Sequence, residues 1–276
     1  MQGSAGSRTT TDVHRLAFDD RGAGVPVVLI HGHPFDRRMW LPQLEGLSDE
    51  LRLVAPDLPG YGESPPRGAK TTMRELADAV LDLTAALDLD RMVVVGLSMG
   101  GLVAMEIGLA APERVAGVVL TATTAQPVTS TEANERRATA DRLEAEGLLG
   151  HALEMAARLS GPRARRDPDL VAHVIDMMLH AQPRGAAAAL RGRAERPNYS
   201  ALLAGLRPPA LVIAGDADPL APEPIVTQLV RSLPAPEVVR LPGVGHLPNL
   251  EAPADFNAAL RRFARDVAAR ATGPRA

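Results

Sequence analysis

Short apolar runs recur along the chain at wide spacing, and most of them are continuous rather than alternating with polar residues. Continuous runs of this length are typical of strands that are buried on both faces of a parallel sheet. The pattern predicts an edge strand at residues 13–18. Six further strands are predicted at residues 27–30, 51–55, 92–95, 115–121, 211–214 and 238–241.

Amphipathic helical patterns separate these runs. Over residues 72–87, leucine and valine fall on one stripe while aspartate and glutamate occupy the opposite face. Thr71 or Thr72 is suited to cap the start of this helix. Further helices are predicted at residues 102–110, 222–233 and 252–269. Strands that alternate with helices through short connections predict an α/β fold with a mostly parallel, doubly wound sheet.

The segment of residues 124–206 breaks this alternation, because it has helical patterns and no convincing strand. Helices are predicted there at residues 133–146, 150–159, 168–180 and 184–194. We interpret the segment as a helical cap over the carboxyl edge of the sheet, where open α/β sheets bind ligands; a decorative appendage is the alternative. The predicted organisation is a disordered tail, a core domain in two pieces and the cap, at residues 1–12, 13–123 with 207–276, and 124–206.

Composition and charge narrow the function classes. The 276 residues include no cysteine, which excludes disulfides, thiolate metal sites and a cysteine nucleophile. The formal net charge of −3 does not provide the basic field that nucleic-acid binding usually needs. Residues 1–15 lack the apolar core of a signal peptide, and no apolar run approaches the length of a membrane span. A cytoplasmic protein with neither a nucleic-acid nor a membrane partner is predicted.

The strongest chemical signal is Gly96-Leu97-Ser98-Met99-Gly100, which has the form G-x-S-x-G and lies between a predicted strand and a predicted helix. In this setting the serine occupies a tight turn that projects its hydroxyl from the end of the sheet, and the glycines remove Cβ atoms that would clash. The start of the following helix offers N–H groups to an oxyanion. Ser98 is therefore the candidate nucleophile.

A serine hydroxyl is a poor nucleophile without an adjacent base. His246 is the candidate base, because it lies in a glycine-rich loop after the last predicted strand and its imidazole can take and return a proton near neutral pH. A carboxylate must orient that imidazole. Two candidates, Asp216 and Asp218, follow the strand predicted at residues 211–214.

Several segments together resemble the signatures of the α/β-hydrolase family. Besides the Ser98 motif, they are HGHP at 31–34, DLPGYGES at 57–64, GDADPLAP at 215–222, and GVGH at 243–246 followed by NLEAP at 249–253. The order Ser, Asp, His along the chain also matches this family. The resemblance implies the α/β-hydrolase fold and selects Asp218, since the family places its acid three residues after the glycine. It further implies an oxyanion hole formed by the backbone N–H groups of His33 and Met99.

Within the family, GLSMGG and the GVGHLPNLEAP ending are similar to enol-lactone hydrolases, while HGHP with a later tryptophan resembles cofactor-free perhydrolases. The resemblance implies a serine hydrolase that cleaves an ester, lactone or related acyl bond of a small molecule through an acyl-enzyme, without a metal or organic cofactor. A carbon–carbon bond hydrolase, a perhydrolase or a biosynthetic tailoring enzyme would use the same triad. A non-catalytic small-molecule binder on the same fold is the alternative from another class. Ser98 excludes haloalkane dehalogenases and epoxide hydrolases, which need an aspartate nucleophile.

The other histidines and a group of arginines each have two interpretations. The side chain of His33 is expected at the pocket wall beside the nucleophile, where it either binds a polar substrate group or is merely tolerated. Three histidines of the cap have no metal-ligand spacing. Surface or packing roles are expected for His151, His173 and His180. Three arginines, which either attract an acidic substrate or form a solvated turn, are Arg163, Arg165 and Arg166.

Overall fold

A computed structural model describes residues 16–159, 161–162 and 164–272 of the chain, so the predicted tail at residues 1–12 lies outside the described residues. Seven strands form a single sheet. They are β1 (Phe18–Arg21), β2 (Val25–Ile30), β3 (Leu51–Pro56), β4 (Met92–Leu97), β5 (Val115–Thr121), β6 (Ala210–Gly215) and β7 (Glu237–Leu241). The strand order is β1-β3-β2-β4-β5-β6-β7, and all neighbouring pairs are parallel except β1 with β3. The predicted mostly parallel sheet is confirmed.

The edge strand is the one strand whose predicted position was wrong. It was expected at residues 13–18, of which 13–15 lie outside the described residues, and it runs instead over Phe18–Arg21. These four residues are mostly polar, which an edge strand tolerates because only one of its sides joins the ladder. Asp20 accepts hydrogen bonds at 2.8 and 3.2 Å from the guanidinium of Arg52 on β3. This ion pair links the edge strand to its neighbour β3.

Helices cover both faces of the sheet and fill the segment between β5 and β6. They are α1 (Leu41–Leu47), α2 (Met73–Ala86), α3 (Met99–Ala110), α4 (Ser130–Glu146), α5 (Leu149–Leu159), α6 (Pro168–His180), α7 (Pro183–Arg193), α8 (Tyr199–Leu202), α9 (Glu223–Ser232), α10 (Pro248–Glu251) and α11 (Pro253–Thr272). Thr72 rather than Thr71 caps α2, in a reciprocal capping box with Glu75. Helix α3 begins at once after Ser98, three residues before the predicted start at 102, and includes both glycines of its first turn.

The continuous apolar strands divide their side chains between two cores. In β4, Val94 faces a core shared with α2, α3 and α9, whereas Val95 faces a core shared with α1 and α11. Successive side chains of a strand point to opposite faces, so a strand with helices on both sides must be apolar at every position. None of the described helices is both long enough and apolar enough to cross a membrane.

The described residues between β5 and β6 contain helices α4–α8 and no strand. Helix α7 packs so closely on the core that a Cβ at Gly185 would lie 2.3 Å from the Cα of Gly60. A Cβ at Gly192 would lie 1.9 Å from the carbonyl oxygen of Thr71, whose N–H donates a 3.0 Å hydrogen bond to the carbonyl of Ala188. These two glycines therefore allow α7 to pack closely against the turn that follows β3 and the start of α2.

Candidate active site

Ser98 lies in a strained turn between β4 and α3, with φ of 55° and ψ of −111°. Few residues with a Cβ adopt a positive φ, and such strain is concentrated at functional sites. The flanking glycines are sterically required: a Cβ at Gly96 would lie 2.1 Å from the carbonyl oxygen of Gly100, and one at Gly100 would lie 2.2 Å from that of Ile30. Close packing at the two glycines thus fixes the turn, which presents Ser98 at the carboxyl end of β4.

His246 and Asp218 form a buried pair. Nδ1 of His246 lies 2.8 Å from Oδ2 and 3.0 Å from Oδ1 of Asp218, and the two residues are only 3% and 4% exposed. The backbone N–H groups of Leu220 and Ala221 also donate to Oδ1, at 2.8 and 3.1 Å. Burial raises the pKa of Asp218, but the hydrogen bond and charge of His246 and these N–H donors together hold it below its ordinary value.

Asp216, the other carboxylate considered, points elsewhere. It is exposed, and its Oδ1 accepts a 2.6 Å hydrogen bond from the backbone N–H of Gly243. The structure therefore pairs His246 with Asp218 and leaves Asp216 as a brace between two loops.

A cavity of about 440 Å³ connects the nucleophile candidate to the histidine, since both Ser98 and His246 line it. Residues of the segment between β5 and β6 form its opposite wall. Its size is that of a small-molecule pocket. Because Nδ1 of His246 is held by Asp218, Nε2 is the ring nitrogen left to act in this cavity.

The loop after β2 passes directly beside the turn that carries Ser98. A Cβ at Gly32 would lie 3.3 Å from the Cβ of Ser98 and 3.1 Å from the carbonyl oxygen of Leu97. This contact places the predicted oxyanion residue His33 next to Ser98. Met99, the other predicted oxyanion residue, is the first residue of α3, where a backbone N–H has no intrahelical acceptor.

The side chain of His33 lines the cavity and is hydrogen-bonded at one nitrogen only. Its Nδ1 lies 2.8 Å from the hydroxyl of Tyr61, while Nε2 is buried and has no partner among the described residues. Burial, together with the positive charge of Arg193 and the neighbouring imidazoles, lowers the pKa of His33 well below its ordinary value. His33 is therefore neutral at pH 7.

A surface or packing role was expected for His151, and the structure adds that this half-buried residue lies at the cavity wall. Its ring lies 6.0 Å from that of His33, and His151 also lines the cavity. Helix α5 carries it there because the apolar face of that helix, including Ala152, packs into the core. His180 is exposed and its Nδ1 lies 2.8 Å from the carbonyl oxygen of Asp176, as a surface role predicts. The described residues contain no group of three or more side chains suited to hold a metal ion.

Glu251 ties the loop of His246 to the segment between β5 and β6. Its Oε2 accepts 2.9 Å hydrogen bonds from the backbone N–H groups of both Gly161 and Gly245, and Oε1 accepts one of 3.2 Å from Leu247. The N–H of His246 itself donates a 2.8 Å hydrogen bond to the carbonyl of Leu159 at the end of α5. The sequence analysis did not single out Glu251, because the NLEAP segment contains no local pattern that indicates a hydrogen bond to the distant Gly161.

Besides Arg142 and Arg158, three arginines in the cavity wall also escaped the sequence analysis. They are Arg136 on α4, Arg193 at the end of α7 and Arg196 just after it. Two of them are three residues apart, but the third is distant along the chain, and no local pattern joins it to the others. Of the arginines singled out from the sequence, Arg163 lies outside the described residues, while Arg165 and Arg166 are exposed in a turn before α6.

Comparison with known proteins assigns the chain to a family. The chain is 30% identical over 276 residues to the dihydrolipoyllysine-residue acetyltransferase component of an acetoin cleaving system from Pseudomonas putida, covering 96% of this chain and 70% of that one. It is 31% identical to 3-oxoadipate enol-lactonase 1 from Acinetobacter baylyi, covering 67% of this chain and 68% of that one.

A solved structure shares the fold closely. A thermophilic esterase from Thermogutta terrifontis, solved with malate bound, superposes with a TM-score of 0.89 at 40% identity, covering 91% of this chain and 93% of that one. The model of the alpha/beta hydrolase family matches residues 27–259. The chain therefore belongs to the alpha/beta hydrolase family and is an enzyme of that family.

Proposed function

We propose that the protein is a serine hydrolase that cleaves an ester or lactone bond of a small molecule through an acyl-enzyme. One observation carries the proposal: a serine at a strained strand end lines the same cavity as a histidine that is paired with a buried aspartate. This is the arrangement that activates a serine hydroxyl. The esterase and enol-lactonase among the similar proteins support a carboxylic ester or lactone as the bond that is cleaved.

In the proposed reaction, Oγ of Ser98 attacks the substrate carbonyl while Nε2 of His246 takes the hydroxyl proton. His246 then donates this proton to the leaving alkoxide as the carbon–oxygen bond breaks, which leaves an acyl group on Ser98. A water molecule, deprotonated by His246, attacks the acyl-enzyme, and His246 returns this proton to Oγ of Ser98 as the acyl–oxygen bond breaks and the acid is released. Asp218 holds the Nδ1 proton throughout and stabilises the imidazolium.

The backbone N–H groups of His33 and Met99 form the proposed oxyanion hole. The close approach of the Gly32 loop to Ser98 and the position of Met99 at the start of α3 support this assignment. Donors at such positions stabilise the charge that develops on the carbonyl oxygen, and the positive end of the helix dipole adds to them.

Covalent labelling tests the proposal. We expect a fluorophosphonate probe to modify the wild-type protein once, at Ser98, as located by peptide mass spectrometry, and p-nitrophenyl esters to be turned over. A non-catalytic binder would instead be stabilised by ligands without acyl release. Modification elsewhere, or no modification together with no ester turnover, would refute the assignment.

Glu251 is proposed as a positioning residue for the His246 loop. Glu251→Ala leaves three backbone N–H groups without their acceptor, and the loop keeps only its hydrogen bond to the carbonyl of Leu159 as a link to the end of α5. A displacement of about 1 Å at a catalytic group costs roughly 100-fold in rate, so we expect kcat to fall by about 10- to 100-fold with little change in KM.

Glu223→Ala is the matched control, since the carboxylate of Glu223 binds only exposed partners, Arg240 and Thr227, on the surface. It should retain wild-type kcat. A Glu251→Ala variant that loses thermal stability but keeps both kcat and the rate of fluorophosphonate labelling would contradict a positioning role.

A further inference from the structure

Five arginines line the cavity: Arg142 and Arg158, and a cluster of three formed by Arg136, Arg193 and Arg196. Arg136 comes from α4, while Arg193 and Arg196 come from the end of α7 and the residues after it. Arg196 is only 8% exposed. Buried charges are costly unless they are paired, so a concentration of positive charge in a pocket wall calls for a counter-charge.

The hydrogen-bonding capacity of these arginines is largely unused. Four buried nitrogens have no acceptor among the described residues, and they are Arg136 Nη1, Arg193 Nε, Arg196 Nε and Arg196 Nη1. Nη2 of Arg196 donates one hydrogen bond, of 3.1 Å, to the carbonyl of Gln126. Buried polar groups are otherwise nearly always satisfied, so unpaired donors in a ligand cavity point to an acceptor that the ligand brings.

Burial and mutual repulsion both act on these charges. Burial and the charges of Arg136 and Arg196 lower the pKa of Arg193 to about 9, and burial and Arg136 lower that of Arg196 to about 10. Arg193 and Arg196 nevertheless remain protonated at pH 7. An anion placed among them would relieve this repulsion.

Three acidic residues in the cavity wall, Glu132, Glu135 and Glu154, neutralise its five arginines only in part. Glu132 pairs with Arg136 at 3.8 Å, and its carboxylate also accepts hydrogen bonds from the backbone N–H and hydroxyl of Thr129 at the start of α4. Glu154, also in the cavity wall, pairs with Arg142 at 3.6 Å. Two of the three guanidinium groups, Arg193 and Arg196, have no carboxylate within ion-pair distance among the described residues.

We propose that Arg136, Arg193 and Arg196 form a subsite for a carboxylate, so that the preferred substrate is an ester or lactone that carries a carboxylate group. The inference rests on the proposed function and names the substrate class of the same cavity. Guanidinium forks match a carboxylate in geometry as well as in charge. Arg193 and Ser98 line the same cavity, so one substrate molecule can present its carboxylate to the cluster and its carbonyl to the serine.

The helix that carries Arg193 packs closely on the core. Helix α7 is seated by the close contacts of Gly185 and Gly192 with the core, and Arg193 follows the second of these glycines directly. A preorganised cation site binds an anion more strongly, because little side-chain freedom is lost on binding.

Matched substrates test the proposal in the wild-type enzyme. For a carboxylate on the acyl side, 4-nitrophenyl hydrogen glutarate is compared with 4-nitrophenyl pentanoate; for one on the alcohol side, butanoyloxyacetate is compared with propyl butanoate. We expect kcat/KM to favour the anionic member of one pair by about 10-fold or more, as charge-assisted hydrogen bonds provide. If neither anionic ester is preferred, the subsite does not exist.

Variants assign any preference to the cluster. In Arg193→Gln and, separately, in Arg136→Gln, the anionic-to-neutral ratio of kcat/KM should fall by about 10-fold. Arg137→Gln is the control, since Arg137 is the exposed neighbour of Arg136 on the same helix and should keep the wild-type ratio. A ratio that is unchanged in both cavity variants would overturn the proposal.

Binding without turnover separates this inference from the proposed function. Calorimetry with glutarate and with its neutral diamide, on the wild-type protein and on Ser98→Ala, needs no chemistry. Selective binding of glutarate that is lost in Arg193→Gln would support the subsite even if no ester were hydrolysed. Equal binding of glutarate and the diamide would reject it even in an active esterase.

Discussion

Replacing Ser98 with alanine should reduce kcat for ester hydrolysis by about 10⁴-fold or more, because the substitution removes the hydroxyl that forms the proposed acyl-enzyme. The substitution keeps the Cβ at a position where φ is already 55°, so it adds no backbone strain. The Ser98 backbone also keeps its hydrogen bonds, from its N–H to the carbonyl of Thr121 at 2.9 Å and from the hydroxyl of Thr123 to its carbonyl at 2.8 Å. The melting temperature should therefore stay close to that of the wild type.

Turnover of p-nitrophenyl esters and thermal melting measure the two halves of this expectation. Ser130→Ala, which removes an exposed hydroxyl at the start of α4, is the matched control and should remain fully active. If Ser98→Ala still showed substantial turnover after further purification, Ser98 would not be the nucleophile.

The second large effect is expected for Asp218→Asn, with a loss of about 10⁴-fold in kcat. The N–H groups of Leu220 and Ala221 donate to Oδ1, so an asparagine would place its carbonyl oxygen there and turn its NH₂ toward Nδ1 of His246. Nδ1 would then accept a hydrogen bond, and the proton would move to Nε2. An imidazole protonated at Nε2 cannot take the proton of Ser98.

Asp216→Asn provides the comparison. Asp216 is exposed and braces Gly243 by one hydrogen bond, so its loss should change kcat by about two-fold or less. The pH–rate profiles of both variants, measured with their melting curves, separate a tautomer effect from unfolding. Equal losses in the two variants, or the larger loss in Asp216→Asn, would show that the wrong carboxylate has been assigned.

The parts of this site that were predictable are those with local causes. A serine between a buried strand and a helix, with glycines on either side, can be recognised because steric constraints within five residues force that turn. His246 was recognisable by its place in a glycine-rich loop after the last strand. The choice of Asp218 over Asp216 depended on resemblance to a family, since both carboxylates follow the same strand and only the fold shows which one reaches the imidazole.

Element boundaries failed where tertiary contacts outweigh local pattern. Helix α3 includes Gly100 and Gly101 in its first turn, although glycine disfavours helix, because the backbone near Ile30 leaves no space for a Cβ at Gly100. The edge strand contains Asp19 and Asp20, because an edge strand can stay hydrogen-bonded to its one neighbour while its side chains remain accessible to solvent.

Apolar periodicity and the glycine-bounded serine were enough to define the α/β class, the order of its elements and the candidate nucleophile, because these depend on neighbours within a few residues. The composition of the cavity depends on contacts between distant segments. His151 meets His33, Glu251 binds the N–H of Gly161, and Arg136 joins Arg193 only after the helices between β5 and β6 have packed over the sheet. Side-chain direction in a packed interface is decided by every element that contacts it, so the character of the substrate site belongs to the tertiary structure.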